Sequence, residues 1–307
     1  MRLTTERGTT VVLHDLGGVG PGAGPAVLIC HATGFCGRMY APLARPLGTR
    51  AHVWALDFPA HGETPAPADA IFDWHAWTAE VAAAVAAIED QGAGPVHAVG
   101  HSMGGAVALQ AEADRPGLLA SAYVYEPVVT PVGFQIVANS LAAGARRRRA
   151  VFPSREAALW RYASRPPLGE LTAETLAAYV EHGFEDLPDG TARLRCLPEN
   201  EARTFDASGR ITFTTVAGAD LPVLVAAGAT EYVRPPAAFG PGLAAALPRA
   251  TLRVYDHLGH FGPFQAPAAI AADILGHIAG PPSPRAGAGA SGDHLWAPRP
   301  RGQDSKG

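Results

Sequence analysis

The chain has 307 residues, enough for one large α/β domain or a domain with an insert, and 48% of them are apolar against 17% charged. A formal charge of −4 gives nucleic acid and anionic membranes no electrostatic reason to bind, and no window approaches the roughly 18 continuous apolar residues of a membrane span. Cys30, Cys36 and Cys196 form neither a metal-type spacing nor an even set, and residues 1–6 lack the apolar centre of a signal peptide, so the expectation is a cytoplasmic protein with reduced thiols.

A short apolar strand is expected at 11–13, then a Gly/Pro-rich turn at 17–25. Gly17-Gly18-Val19-Gly20 lies in that turn with no helix after it, so it is not read as a phosphate loop, and neither a cofactor nor a metal site is expected. A second strand at 26–30 runs into His31-Ala32-Thr33-Gly34-Phe35, and a third at 52–56 ends at Asp57. A short helix is placed at 40–47 and a longer one at 73–90, where Val81, Val85 and Ile88 share a face. The strand from Val96 meets Gly100-His101-Ser102-Met103-Gly104-Gly105, a helix follows at 104–113, and a strand at 120–125 ends at Glu126-Pro127.

The pattern changes at 131–216. That block is more polar, carries Arg146-Arg147-Arg148-Arg149, and is expected to be helical at 134–150, 154–164 and 172–183. Alternation resumes with a strand at 222–227, a helix near 236–247, a strand at 251–255 and a last helix at 267–279, in which Ile270, Ile274 and Ile278 form one stripe. Strands alternating with helices imply a mostly parallel sheet covered on both faces, with sites at the C-terminal strand ends. The expected organisation is an α/β core at 1–130 and 217–280, a helical cap at 131–216, and a disordered tail from 281 to 307.

Gly-x-Ser-x-Gly between a strand and a helix is the pattern of a nucleophile elbow. The sharp reversal puts the central residue at positive φ, and its neighbours two positions away must lack side chains so that strand and helix can pass. Ser102 is therefore the candidate nucleophile. A serine hydroxyl needs a general base. His260, in a glycine-containing loop between the last strand and the last helix, is the candidate by order and position, with His257 as its nearest rival. His97 and His101 read as packing residues around the site. Trp74, Trp77, Trp160 and Tyr162 are core or pocket-lining candidates, and Arg146 to Arg149 read as a solvated helix end, with a cleft-facing arginine for an anionic substrate as the sharper alternative.

The chain resembles the α/β-hydrolase superfamily over roughly residues 10–280. The resemblance rests on His31-Ala32-Thr33-Gly34, Asp57 through His61-Gly62, the Ser102 elbow, Gly228 through Glu231 and Gly259-His260-Phe261. It implies an oxyanion hole from the backbone N–H groups of Thr33 and Met103. Two departures stand out: Ala32 replaces the usual glycine after the histidine, and Pro59-Ala60 replace the usual Arg-Gly. The triad acid stays open between two residues. Glu231 occupies the slot where most relatives hold an aspartate; Glu126 occupies the strand end that other branches use, and it is the favoured reading because a strand-end carboxylate is held in fixed geometry. The resemblance implies a serine hydrolase acting on a small-molecule ester, thioester or lactone through an acyl-enzyme. The alternative is a non-hydrolytic lyase, cyclase or ligand receptor on the same fold. Oligomeric state is left open.

Overall fold

The structure is a computed structural model, and it describes residues 1–134, 140–229 and 235–280. The expected tail at 281–307 lies outside the described residues.

In chain order, β1 (Arg2–Thr4), β2 (Thr10–Gly18) and β3 (Ala26–Cys30) precede α1 (Ala41–Leu47) and β4 (His52–Asp57). Then follow α2 (Thr78–Glu89), β5 (Val96–His101), α3 (Met103–Asp114) and β6 (Ser121–Tyr125). The eight-stranded sheet is completed further along the chain by β10 (Val223–Gly228) and β11 (Ala250–Tyr255), in the spatial order β1-β2-β4-β3-β5-β6-β10-β11. The hairpin edge β1-β2-β4 is antiparallel, and every pair from β4 to β11 is parallel. β3 sends the chain outward to β4, whereas β5 lies on its other side. This reversal opens a crevice at the C-terminal ends of β3 and β5, the position where open α/β sheets bind ligands.

Both faces of the sheet are apolar because both are covered. In β3, Ala26, Leu28 and Cys30 pack with Trp77, Val81, Val85 and Ile88 beside α2, while Val27 and Ile29 belong to the opposite core with Leu43 and Leu47 of α1. Ile270 and Ile274 of the last helix (Pro267–Ala279) are fully buried in that second core.

Between β6 and β10 the described chain forms α4 (Ser140–Arg146), β7 (Val151–Phe152), α5 (Arg155–Ala163), α6 (Ala173–His182), β8 (Phe184–Asp186), β9 (Ala192–Leu194), α7 (Pro198–Asp206) and α8 (Phe213–Val216). The purely helical expectation is corrected here, since β7, β9 and β8 make a small antiparallel sheet. Strands of two or three residues have too few positions to show a period in sequence. The excursion is tied at its base, where the Thr130 N–H donates to Ile211 O and the Phe213 N–H donates to Thr130 O. α9 (Gly240–Ala246), α10 (Gly262–Gln265) and α11, the last helix, complete the chain described.

Candidate active site

Ser102 sits between β5 and α3 with φ 54° and ψ −116°, a strained backbone for a residue with a side chain. Its flanking glycines have no room to be anything else. A Cβ on Gly100 would lie 2.4 Å from Gly105 Cα, and one on Gly104 would lie 2.1 Å from Cys30 O. The elbow is thus wedged against the neighbouring strand β3, and its hydroxyl-bearing residue is presented at the crevice.

The base candidate arrives from the other end of the chain. His260 Nδ1 lies 2.6 Å from Glu126 Oε2. A carboxylate only accepts, so Nδ1 carries the proton and Nε2 is left as the basic nitrogen. Glu126 is almost wholly buried and is fixed twice: its Oε1 accepts the Gly228 N–H at 2.8 Å. The residue itself has φ 42°, a second strained side-chain-bearing position at a strand end. Gly228 must be glycine, because a Cβ there would meet Leu258 O at 2.3 Å. The loop bearing His260 is pinned further by the Tyr125 hydroxyl, which donates to Gly259 O at 2.8 Å. Glu231, the other acid candidate, lies outside the described residues.

The two expected oxyanion residues meet: Thr33 Oγ1 is 3.5 Å from Met103 Sδ. Met103 opens α3, so its N–H is among those a helix leaves unpaired, and neither it nor the Thr33 N–H donates to a backbone carbonyl among the described residues. The loop that carries Thr33 is held by two buried side chains. His31 Nε2 accepts the Phe58 N–H at 3.0 Å, so Nδ1 carries the proton and donates to Ala32 O at 2.8 Å. Burial keeps this imidazole neutral by lowering its pKa, against the opposing pull of Asp57. Asp57 in turn receives the N–H groups of Gly37 and Glu63, at 2.6 and 2.8 Å, and contacts His14 Nε2 at 2.7 Å. Gly62 is forced by the same carboxylate, since a Cβ there would lie 2.1 Å from Asp57 Oδ2.

One relay was not read from the sequence. The Ala32 N–H donates to the Tyr40 hydroxyl at 3.1 Å, and that hydroxyl lies 2.8 Å from His101 Nδ1. His101 Nε2 lies 2.8 Å from His260 O, a pure acceptor, so Nε2 donates and Tyr40 donates to Nδ1. Burial and the neighbouring His260 push the His101 pKa well below its ordinary value, which keeps the ring neutral as this bonding requires. His101 therefore ties the loop carrying Thr33 to the loop carrying His260. Its position beside Ser102 was a signal; Tyr40, far off in sequence on a short helical turn, gave none.

A cavity of about 420 Å³ lies where the segment between β6 and β10 meets this region. Gly34 and Phe35 wall it on one side, Phe261 on another, and Arg148, Tyr162 and Phe205 from the intervening segment. The arginine run is corrected by this placement. Arg146 pairs with Glu199 and Asp206, while Arg148 turns inward to Glu201 Oε2 at 2.5 Å and to the hydroxyls of Tyr179 and Tyr162 at 2.7 and 3.2 Å. Of the aromatic candidates, Tyr162 lines the cavity, Trp74 and Trp77 are core, and Trp160 is 77% exposed.

The sequence profile described as the alpha/beta hydrolase family matches residues 27–273, and the chain belongs to that family. It is 37% identical over 120 residues to "Lipase LipV" of Mycobacterium tuberculosis (strain ATCC 25618 / H37Rv), a stretch that covers 38% of this chain and 42% of that protein. It is 33% identical over 105 residues to "Monoglyceride lipase" of Homo sapiens, covering 34% and 35% of the two chains. The chain therefore aligns with about two-fifths of the length of these curated relatives or less. Among solved structures, that of E-2-(acetamidomethylene)succinate hydrolase superposes with a TM-score of 0.70 at 19% identity, covering 91% of this chain and 98% of that one, a likeness of fold. Among the described residues no helix is long and apolar enough to cross a membrane.

Proposed function

We propose that this chain is a serine hydrolase of small-molecule carboxylic esters, thioesters or lactones, with Ser102 as nucleophile, His260 as base and Glu126 as the acid that orients it. The observation that carries the reading is the 2.6 Å bond from His260 Nδ1 to a buried, doubly anchored Glu126 carboxylate, in a chain whose elbow presents Ser102. Esterase and lipase names among the relatives support the same class.

In this reading His260 Nε2 takes the Ser102 hydroxyl proton as Oγ attacks the carbonyl carbon. The negative charge that develops on the carbonyl oxygen rests on the N–H groups of Thr33 and Met103. His260 then gives its proton to the departing alcohol or thiol. A water, deprotonated by the same nitrogen, attacks the acyl-enzyme; its hydroxyl oxygen joins the acyl carbon and Ser102 regains a proton. Glu126 stays ionised throughout and stabilises the imidazolium that forms in each half-reaction. The segment at 131–216 acts as a cap whose underside shapes the acyl pocket. The buried thiols of Cys30, Cys36 and Cys196 support a cytoplasmic setting.

The test is a pair of amide variants assayed on a chromogenic short-chain ester. Glu126→Gln removes the negative charge and the acceptor geometry together, and should lower kcat by about 10³–10⁴-fold. Glu231→Gln should lower it little. The opposite ranking would overturn the assignment of Glu126.

A further inference from the structure

The cavity beneath the cap has an unbalanced set of charges. Among the described residues, three arginines line it, Arg148, Arg161 and Arg165, and one carboxylate, Glu201. That carboxylate is already committed to Arg148. Arg161 lies in the last turn of α5 and Arg165 two residues past its end, and both line the cavity. Among the described residues neither guanidinium has a salt-bridge or hydrogen-bond partner.

The neighbours make this informative. Several other arginines of the segment are paired with carboxylates, Arg146 with Glu199 and Asp206, Arg155 with Asp186, Arg193 with Glu185, and Arg203 with Glu199. Those without a carboxylate partner among the described residues, Arg147, Arg149, Arg195 and Arg210, do not line this cavity, whereas Arg161 and Arg165 do. The whole chain is net negative, at −4, so its long-range field offers an anion no attraction. A local preference for anions would have to come from this rim. The walls between the rim and the loop bearing Thr33 are mostly apolar, with Phe35, Leu168, Phe205 and Phe261 among them.

We infer that the natural substrate carries an anionic group, separated from its scissile carbonyl by an apolar stretch, and that Arg161 and Arg165 receive that group at the cavity mouth. The inference rests on the hydrolase reading above for the identity of the carbonyl chemistry. Guanidinium groups are suited to this role because they present forked donors to the planar or tetrahedral oxygens of a carboxylate or phosphate. Arg148 differs from them. Its bonds to Glu201, Tyr162 and Tyr179 make it part of the cavity wall, and Glu201 is pressed against the loop bearing Thr33: a Cβ on Gly34 would lie 2.6 Å from Glu201 Oε1.

The experiment compares kcat/KM for the monomethyl and dimethyl esters of linear dicarboxylic acids of matched length. The half-ester should be preferred by about tenfold or more, the worth of a charge-assisted contact. In Arg161→Ala/Arg165→Ala the ratio should fall to near one, while the exposed Arg147→Ala, which does not line the cavity, should keep the wild-type ratio. Equal use of both esters by the wild type, or a preference that survives the double substitution, overturns the inference. A methyl ester bearing a terminal phosphonate separates the two anion sources. Stronger use of the phosphonate assigns a phosphate group, stronger use of the half-ester assigns a carboxylate, and either order must depend on the two arginines.

Should no ester be turned over, calorimetry of the half-ester with Ser102→Ala reads the anion site alone. Binding weakened about tenfold by the double substitution supports it, and absent or arginine-independent binding overturns it. Turnover of the diester that depends on Ser102 but shows no charge preference would remove this inference and leave the hydrolase reading standing.

Discussion

Glu80 is a carboxyl group in the wrong place for neutral pH. It lies in the first turn of α2, fully buried, and among the described residues neither carboxyl oxygen has a hydrogen-bond partner in another residue. Burial raises its pKa from 4.5 to about 7, with its own backbone N–H and then the Arg7 guanidinium opposing the rise and Glu6 adding to it. Below pH 4.5 both folded and unfolded chains hold this proton, and the folded state bears no penalty. Between 4.5 and about 7 the unfolded chain has released it while the folded chain keeps it, so stability falls as pH rises. Above about 7 both are ionised and the loss is complete. At about 1.4 kcal/mol per decade of pH, that interval is worth roughly 3 kcal/mol. Glu80→Gln removes the titration and keeps the shape. Urea unfolding of both proteins at pH 5 and pH 8 gives the test, because every other titrating group cancels in the difference between them. The variant should gain roughly 2–3 kcal/mol relative to wild type on going from pH 5 to pH 8. A difference that is the same at both pH values would refute the reasoning.

Two further substitutions probe the scaffold around the nucleophile. Gly104→Ala places a methyl group 2.1 Å from Cys30 O, a contact that backbone must move to relieve. It should lower kcat by about a hundredfold or more, as misplacement of a nucleophile by an ångström does, and differential scanning fluorimetry should show a lower Tm; wild-type kinetics would contradict the elbow geometry. Tyr40→Phe leaves the Ala32 N–H and His101 Nδ1 without their shared hydroxyl. Each buried orphan costs about 1–3 kcal/mol, so urea unfolding should show a loss of at least about 2 kcal/mol, and an unchanged midpoint would show that the relay does not contribute.

Much of the core was legible because its signals are local. β3, β4 and β6 are continuous buried runs, β5 is buried at all but His97, and the elbow glycines announce a steric problem that only one local geometry solves. The resemblance placed His260 and Thr33 by order along the chain. What sequence could not resolve is what depends on contacts between distant residues. Glu126 and His260 are 134 positions apart, and Arg148 and Glu201 are 53 apart. Nothing in a run of four arginines shows which one turns inward, because α4 ends at Arg146 and the three that follow lie in irregular chain with no period to read. Trp160 had the composition of a pocket residue, yet it lies on the outward side of α5, whereas Tyr162 two residues on faces the cavity. The positive φ of Glu126 was equally hidden, since no glycine marks it.

The central claim is that Ser102 is an activated nucleophile, and the most direct measurement is the intact mass of the protein after exposure to a fluorophosphonate. Phosphonylation of the serine oxygen displaces fluoride and adds one probe to the chain. The account predicts a single mass increment on the wild type, none on Ser102→Ala, and slow labelling of Glu126→Gln. Labelling of Ser102→Ala to the same extent, or an unlabelled wild-type protein, would contradict it.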